Sequence, residues 1–117
     1  MKHRVIIALG SNHQQSVHIQ WASERLIHIL SDCRLSRCLW TADIKGTGNW
    51  YMNRLAIGMT ELSADDLQVL LKETEAETGR TKAMVTIDLD LMQYDDCRYH
   101  EKDWQRPYIK NIIQDIL

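Results

Sequence analysis

The chain contains no phenylalanine and a single proline among its 117 residues. Aromatic packing therefore falls to four Trp and four Tyr, whose N–H and O–H groups need a partner or a place near the surface. Cysteine is scarce as well. Cys33, Cys38 and Cys97 are odd in number and lack a paired CxxC spacing, which argues against a disulfide framework and fits a reducing compartment. Cys33 and Cys38, five apart in a strand-like stretch, are expected to face opposite sides, and a zinc site gathered from His28, Cys33, Cys38 and His100 would be the alternative use of these side chains. Neither sign of charge dominates: 14 Lys+Arg against 16 Asp+Glu give a formal net charge of −2. There is thus no basic field for nucleic acid and no polybasic patch for a membrane surface, and an anionic ligand has to be held by a local cluster. The apolar run near the start, Val5 to Leu9, is too short for a signal-peptide core with its cleavage site, or for a membrane span. A cytoplasmic location is expected.

With 44% hydrophobic and 26% charged residues, the composition is that of a globular protein, and residues 1–117 read as one domain. Val5–Leu9 reads as a buried strand halted by the turn formers Gly10, Ser11 and Asn12. A helix is expected from Gln15 to Leu30, with Ile19, Ala22, Leu26, Ile29 and Leu30 on its apolar stripe. Strands are expected over Arg34–Thr41 and Tyr51–Thr60. The intervening Ala42–Trp50, with Lys45-Gly46-Thr47-Gly48, is long for a hairpin turn and only weakly like a phosphate loop, since no helix start follows it. Ser63 is placed to cap a second helix whose first turn carries Asp65 and Asp66, and Gly79 to end it in the left-handed region. A strand through Asp88 and Asp90 follows, then Pro107 at the start of a short helix over Tyr108–Leu117. The order β-α-β-β-α-β with an appended helix indicates an α+β, ferredoxin-like sandwich with an antiparallel sheet.

The run Thr86-Ile87-Asp88-Leu89-Asp90-Leu91-Met92 places two carboxylates two residues apart in a strand. They share one face while Ile87, Leu89 and Leu91 take the other, with the two aspartate Cα atoms roughly 6.5–7 Å apart. Like charges so close repel unless a cation lies between them. Hard divalent ions such as Mg²⁺ suit the arrangement, since they take oxygen ligands and bridge carboxylates to substrate phosphates. Two acids on the solvent face of a sheet remain the other reading of this run.

Five stretches in order carry a resemblance: Ala8-Leu9-Gly10-Ser11-Asn12, Thr41, Tyr51-Met52-Asn53, Glu75 leading to Gly79-Arg80, and Ile87-Asp88-Leu89-Asp90. Together they resemble 6-hydroxymethyl-7,8-dihydropterin pyrophosphokinase, the folate-pathway family that moves a diphosphoryl group from ATP to a pterin alcohol. The resemblance implies that Asp88 and Asp90 hold two Mg²⁺ ions on the ATP phosphates, with Arg80 as a phosphate-binding cation. Lys82 stands where the family commonly has a second arginine. Tyr51 and Asn53 would stack on and read the pterin, with Thr41 and Ile44 presenting groups to the same edge. Glu75 is implied at the nucleotide. His100, Arg106 and Tyr108 keep the family spacing of a His, an Arg and an aromatic. That assigns His100 to the nucleotide, Arg106 to the phosphates and Tyr108 to the second ring of the pterin sandwich. The segment Thr81–Val85 is shorter than the family's usual loop and lacks its tryptophan and Pro-Arg pair, marking a shortened member. Lid closure excludes water and completes the electrostatic site, so the shortening bears on turnover more than on binding. The readings are a diphosphotransferase with ATP and a pterin as small-molecule partners, a catalytically weakened relative binding nucleotide or pterin as a sensor or interaction module, and a ferredoxin-like interaction domain.

Overall fold

In the computed structural model, residues 1–43 and 45–117 are described. Strand β1 (His3–Ser11) leads to helix α1 (Gln15–Ile29), then β2 (Ser31–Leu35), β3 (Leu39–Ala42) and β4 (Trp50–Thr60). Helix α2 (Ala64–Ala76), strands β5 (Asp88–Tyr94) and β6 (Cys97–Arg98), and helices α3 (Glu101–Trp104) and α4 (Pro107–Ile112) complete the order, with a 3₁₀ turn at Ile113–Asp115. The strands form one sheet in the order β2-β4-β1-β5-β6, with β3 also on β4 and every pairing antiparallel. This is the α+β, ferredoxin-like arrangement that the alternation of patterns indicated.

Strand alternation divides the core between the two faces of the sheet. Val5, Ile7 and Leu9 of β1, Met52 and Ala56 of β4, and Leu89 and Leu91 of β5 pack with Ile19, Ala22 and Leu26 of α1 and Leu67 and Leu71 of α2. On the opposite face Ile6, Leu55, Ile57 and Met92 pack with Trp104, Ile109, Ile112 and Ile116 from the C-terminal segment. Both faces are covered, which explains why Val5–Leu9 is continuously apolar. Ile112 has no exposed surface, and truncating such a side chain to Ala costs about 2–5 kcal/mol.

Helix α2 begins as its sequence indicates: the Ser63 hydroxyl accepts the Asp66 N–H at 3.1 Å, and Gly79 follows the helix at φ 74°, where a side chain would be strained. Three expectations are corrected. The strand over Arg34–Thr41 is two strands, β2 starting earlier at Ser31. Between them the Ser36 hydroxyl accepts the Leu55 N–H at 2.8 Å, a side chain taking a ladder acceptor's place. Consequently Cys33 and Cys38 do not face opposite sides but both pack on the α1–α2 core. The C-terminal helix runs over Pro107–Ile112 before tightening to 3₁₀, and β6 and α3 precede it unforeseen.

That C-terminal segment is the second wall of a cleft, and polar contacts anchor it. The Trp104 indole donates to the carbonyls of Met92 and Tyr99 at 3.2 and 3.1 Å. Arg34 donates to the Ile116 carbonyl at 3.1 Å, and Arg37 pairs with Asp115 at 2.7 Å. No helix among the described residues is long and apolar enough to cross a membrane.

Candidate active site

Register, more than any single motif, assembles the cleft. Gly10 of β1 lies opposite Asn53 of β4 on one side and Asp88 of β5 on the other; one step along, Ala8 lies between Leu55 and Asp90. With strands about 4.8 Å apart, these rows bring Tyr51, Asn53, Asp88 and Asp90 onto one floor. The β1 residues facing it shrink from Ile6 to Ala8 to Gly10. A Cβ on Gly10 would lie 3.8 Å from both Asn53 Oδ1 and a Tyr51 ring carbon, so glycine leaves room for a ligand. The resulting cavity is about 230 Å³ and is lined also by Thr41, Asp43, Lys45, Asp103, Arg106 and Tyr108.

The acid pair is the electrostatic centre of this floor. Burial, the neighbouring Asp88 charge and a hydrogen bond with Asp88 push the Asp90 carboxyl up to about 7, with Lys72 opposing the rise. Two carboxylates on one strand face and in one cavity, one resisting ionisation, make the oxygen donor set that a divalent cation would relieve, and Mg²⁺ therefore fits these residues. Among the described residues no group of three or more His, Cys, Asp or Glu side chains gathers as a metal cluster. The pair would take its remaining ligands from phosphates and water.

Glu75 is buried at 5% exposure. It accepts the Leu89 N–H at 2.7 Å, between the two aspartates, and pairs with Lys72 at 3.1 Å and Arg80 at 2.9 Å. Arg80 reaches Asp88 at 3.0 Å and Lys72 reaches Asp90 at 3.8 Å. Each aspartate is thus matched with a cation held by one buried carboxylate. Lys82 is exposed and lies outside the cleft lining.

On the β4 side of the floor the Tyr51 hydroxyl accepts from Asn12 Nδ2 at 3.4 Å. Burial and the charges of Asp43 and Asp88 raise its phenol above its usual range. Burial followed by Asp103 raises Tyr108 likewise. The Asn53 amide donates to the Leu39 carbonyl at 3.1 Å and to Thr41 Oγ1 at 2.8 Å. A carbonyl only accepts, so this orients the NH₂ toward β3. Asn53 Oδ1 has no protein donor among the described residues and is not sealed from solvent, so it is available as an acceptor. Arg106 gives its Nε to Asp103 Oδ1 at 2.8 Å.

Residues 6–117 match the profile of the 7,8-dihydro-6-hydroxymethylpterin-pyrophosphokinase family. The chain belongs to that family. No curated protein matches it. Membership of the pyrophosphokinase family implies a transferase that uses ATP and Mg²⁺ and acts on a pterin in folate biosynthesis.

Of the positions singled out from sequence, Thr41, Tyr51, Asn53, Asp88, Asp90, Arg106 and Tyr108 meet in the one cleft. Arg80 and Glu75 stand directly behind its acid pair. His100 instead lines a smaller cavity of about 150 Å³ with Lys72 and Tyr99, which shares Asp90 with the main cleft. Ile44 lies outside the described residues. Sequence reasoning read Lys45 only as part of a weakly phosphate-like loop, although it lines the cleft, and missed Lys72 and Asp103. The last two were detectable as partners three residues before Glu75 and Arg106, the spacing at which helix-turn neighbours meet.

Proposed function

We propose that the protein catalyses Mg²⁺-dependent transfer of the diphosphoryl group of ATP to 6-hydroxymethyl-7,8-dihydropterin, releasing AMP. The observation that carries this reading is one cleft lined by the Asp88–Asp90 carboxylate pair together with Tyr51, Tyr108, Arg106 and Asn53, whose Oδ1 has no protein donor among the described residues. The two phenol rings would hold the flat pterin, with the Asn53 Oδ1 accepting from its N–H edge and Thr41 beside it. Arg106 would meet phosphate oxygens, its Nε fixed by Asp103, and Arg80 would do so from the Asp88 side. His100, in the adjoining cavity with Glu75 behind it, would border the nucleotide. Asp88 and Asp90 would hold two Mg²⁺ ions, whose charge offsets that of the transferring phosphate oxygens. The hydroxymethyl oxygen forms a bond to the β-phosphorus and the bond from that phosphorus to the α–β bridging oxygen breaks. Its electron pair leaves with AMP, and the hydroxyl proton passes to water. What these side chains contribute is alignment and a preorganised field.

A second reading, a weakened relative that binds nucleotide or pterin as a sensor or interaction module, draws on the 81–85 segment. Thr81 N–H donates to the Met84 carbonyl at 3.0 Å. Val85 N–H donates to Asn12 Oδ1 at 2.8 Å, while Asn12 N–H donates to the Val85 carbonyl at 2.9 Å. This is a pinned turn, not a span free to fold over ATP, and its exposed Lys82 is not among the residues lining the cleft. Both readings keep the protein a shortened, single-domain member acting in the cytoplasm. AMP release from ATP and Mg²⁺ that depends on added hydroxymethyl-dihydropterin supports the enzyme. Saturable binding without AMP supports the second reading, and neither signal removes both.

A further inference from the structure

Lys72 has no part in the roles above, yet it stands at the junction of the two cavities. Its Nζ lies 3.1 Å from Glu75 Oε2 and 3.8 Å from Asp90 Oδ1, and its side chain is 60% exposed. It lines the smaller cavity beside His100, whereas Asp90 borders both. On the proposed reading of His100 at the nucleotide, a triphosphate reaching the acid pair from that side runs beside this ammonium. We infer that Lys72 is a phosphate-contacting residue that Asp90 holds in reserve. In the ligand-free protein it partly neutralises Asp90; when a divalent cation takes the carboxylates, the ammonium is repelled and turns to the nucleotide phosphates. Two cations compete for one carboxylate oxygen, and the one on a flexible, largely exposed four-carbon stem is the one free to move. Glu75 tolerates the departure, because the Leu89 N–H and Arg80 still satisfy it.

The inference rests on the reading that Asp88 and Asp90 hold the metal, and the test separates the two. Calorimetric titrations of MgCl₂ alone, and of α,β-methylene-ATP with Mg²⁺ present, compare the natural protein with Lys72→Gln, Lys72→Arg and Asp90→Asn. Removing the competing charge makes Lys72→Gln bind Mg²⁺ alone about 3–10-fold tighter. The same variant binds the ATP analogue about 5–20-fold more weakly and with less salt dependence. Lys72→Arg restores analogue binding. These opposite signs are what a mere helix-surface pair with Glu75 would not produce. If Asp90→Asn loses Mg²⁺ binding while Lys72→Gln changes neither titration, the role of Lys72 is overturned and the metal assignment stands. If Asp90→Asn binds Mg²⁺ as the natural protein does, the metal assignment falls and the inference with it.

Discussion

The metal-free protein is expected to lose stability as pH rises toward neutrality, and Asp90 is the cause. Its carboxyl is raised by burial and by Asp88 from the ordinary 3.8 to about 7, so the folded state holds this proton more tightly than the unfolded chain does. The contribution is therefore fully present below about pH 4 and is lost progressively as pH climbs through about 7. Taken at about 1.4 kcal/mol per pH unit, the loss is at most about 4 kcal/mol. Asp43 and Asp95, each held below the usual carboxylate range by hydrogen bonds first of all, act in the opposite sense, so the decisive quantity is a difference between proteins. Asp90→Asn removes the ionisable group while keeping its shape. In EDTA the variant should match the natural protein near pH 4 and exceed it at pH 8, by at least about 4 °C in melting temperature. MgCl₂ at pH 8 should raise the natural protein and leave the variant unmoved, because only an ionised pair attracts the ion. Urea or thermal unfolding from pH 4 to 8.5 measures this directly. A natural protein no less stable than Asp90→Asn at pH 8 in EDTA would show that the acid pair is not electrostatically strained.

Asp88→Asn, which leaves both apolar cores untouched, should keep the circular dichroism of the natural protein while reducing AMP formation about 10²-fold or more; comparable rates would return the pair to surface decoration. Replacing Tyr51 or Tyr108 by Leu should weaken pterin binding by about 0.5–1.5 kcal/mol beyond the lost area, with Phe tolerated. In the same fluorescence titration Asn53→Ala should lose more than its size, because it leaves part of the pterin edge unpaired. Arg106→Ala should reduce turnover sharply and Asp103→Ala should follow it in part, since Asp103 fixes the Arg106 Nε; steady-state kinetics with Arg106→Ala unaltered would place the phosphate charge elsewhere. Extending the pinned 81–85 turn should raise kcat with little change in ATP-analogue affinity if closure limits turnover, and an unchanged kcat would dissociate the turn from the rate.

Much of the site was legible because it depends on local chemistry. Alternation along Ile87–Leu91 put Asp88 and Asp90 on one face whatever the sheet around them, and Ser63 and Gly79 marked the ends of α2 through their own backbone preferences. The break at Ser36 was not legible. Nothing in Arg34–Thr41 reveals that a hydroxyl takes a ladder acceptor's place, since its partner, the Leu55 N–H, is distant in sequence. The same holds for Asn12 and Val85, whose paired hydrogen bonds turn a short loop into a fixed one.

By itself the sequence determined the alternation of strands and helices, the apolar stripes that divide the core, and the carboxylate pair with its ordered companions, because these follow from backbone periodicity and side-chain chemistry within a few residues. Only the tertiary structure decided that Gly10 lies between Asn53 and Asp88, and that the C-terminal helices close the opposite wall with Tyr108 and Arg106. It alone decided that buried Glu75 distributes Lys72 and Arg80 to separate aspartates. Those relations join residues far apart in the chain, and strand register and the packing of Trp104, Ile109 and Ile112 on the sheet bring them within reach of one another.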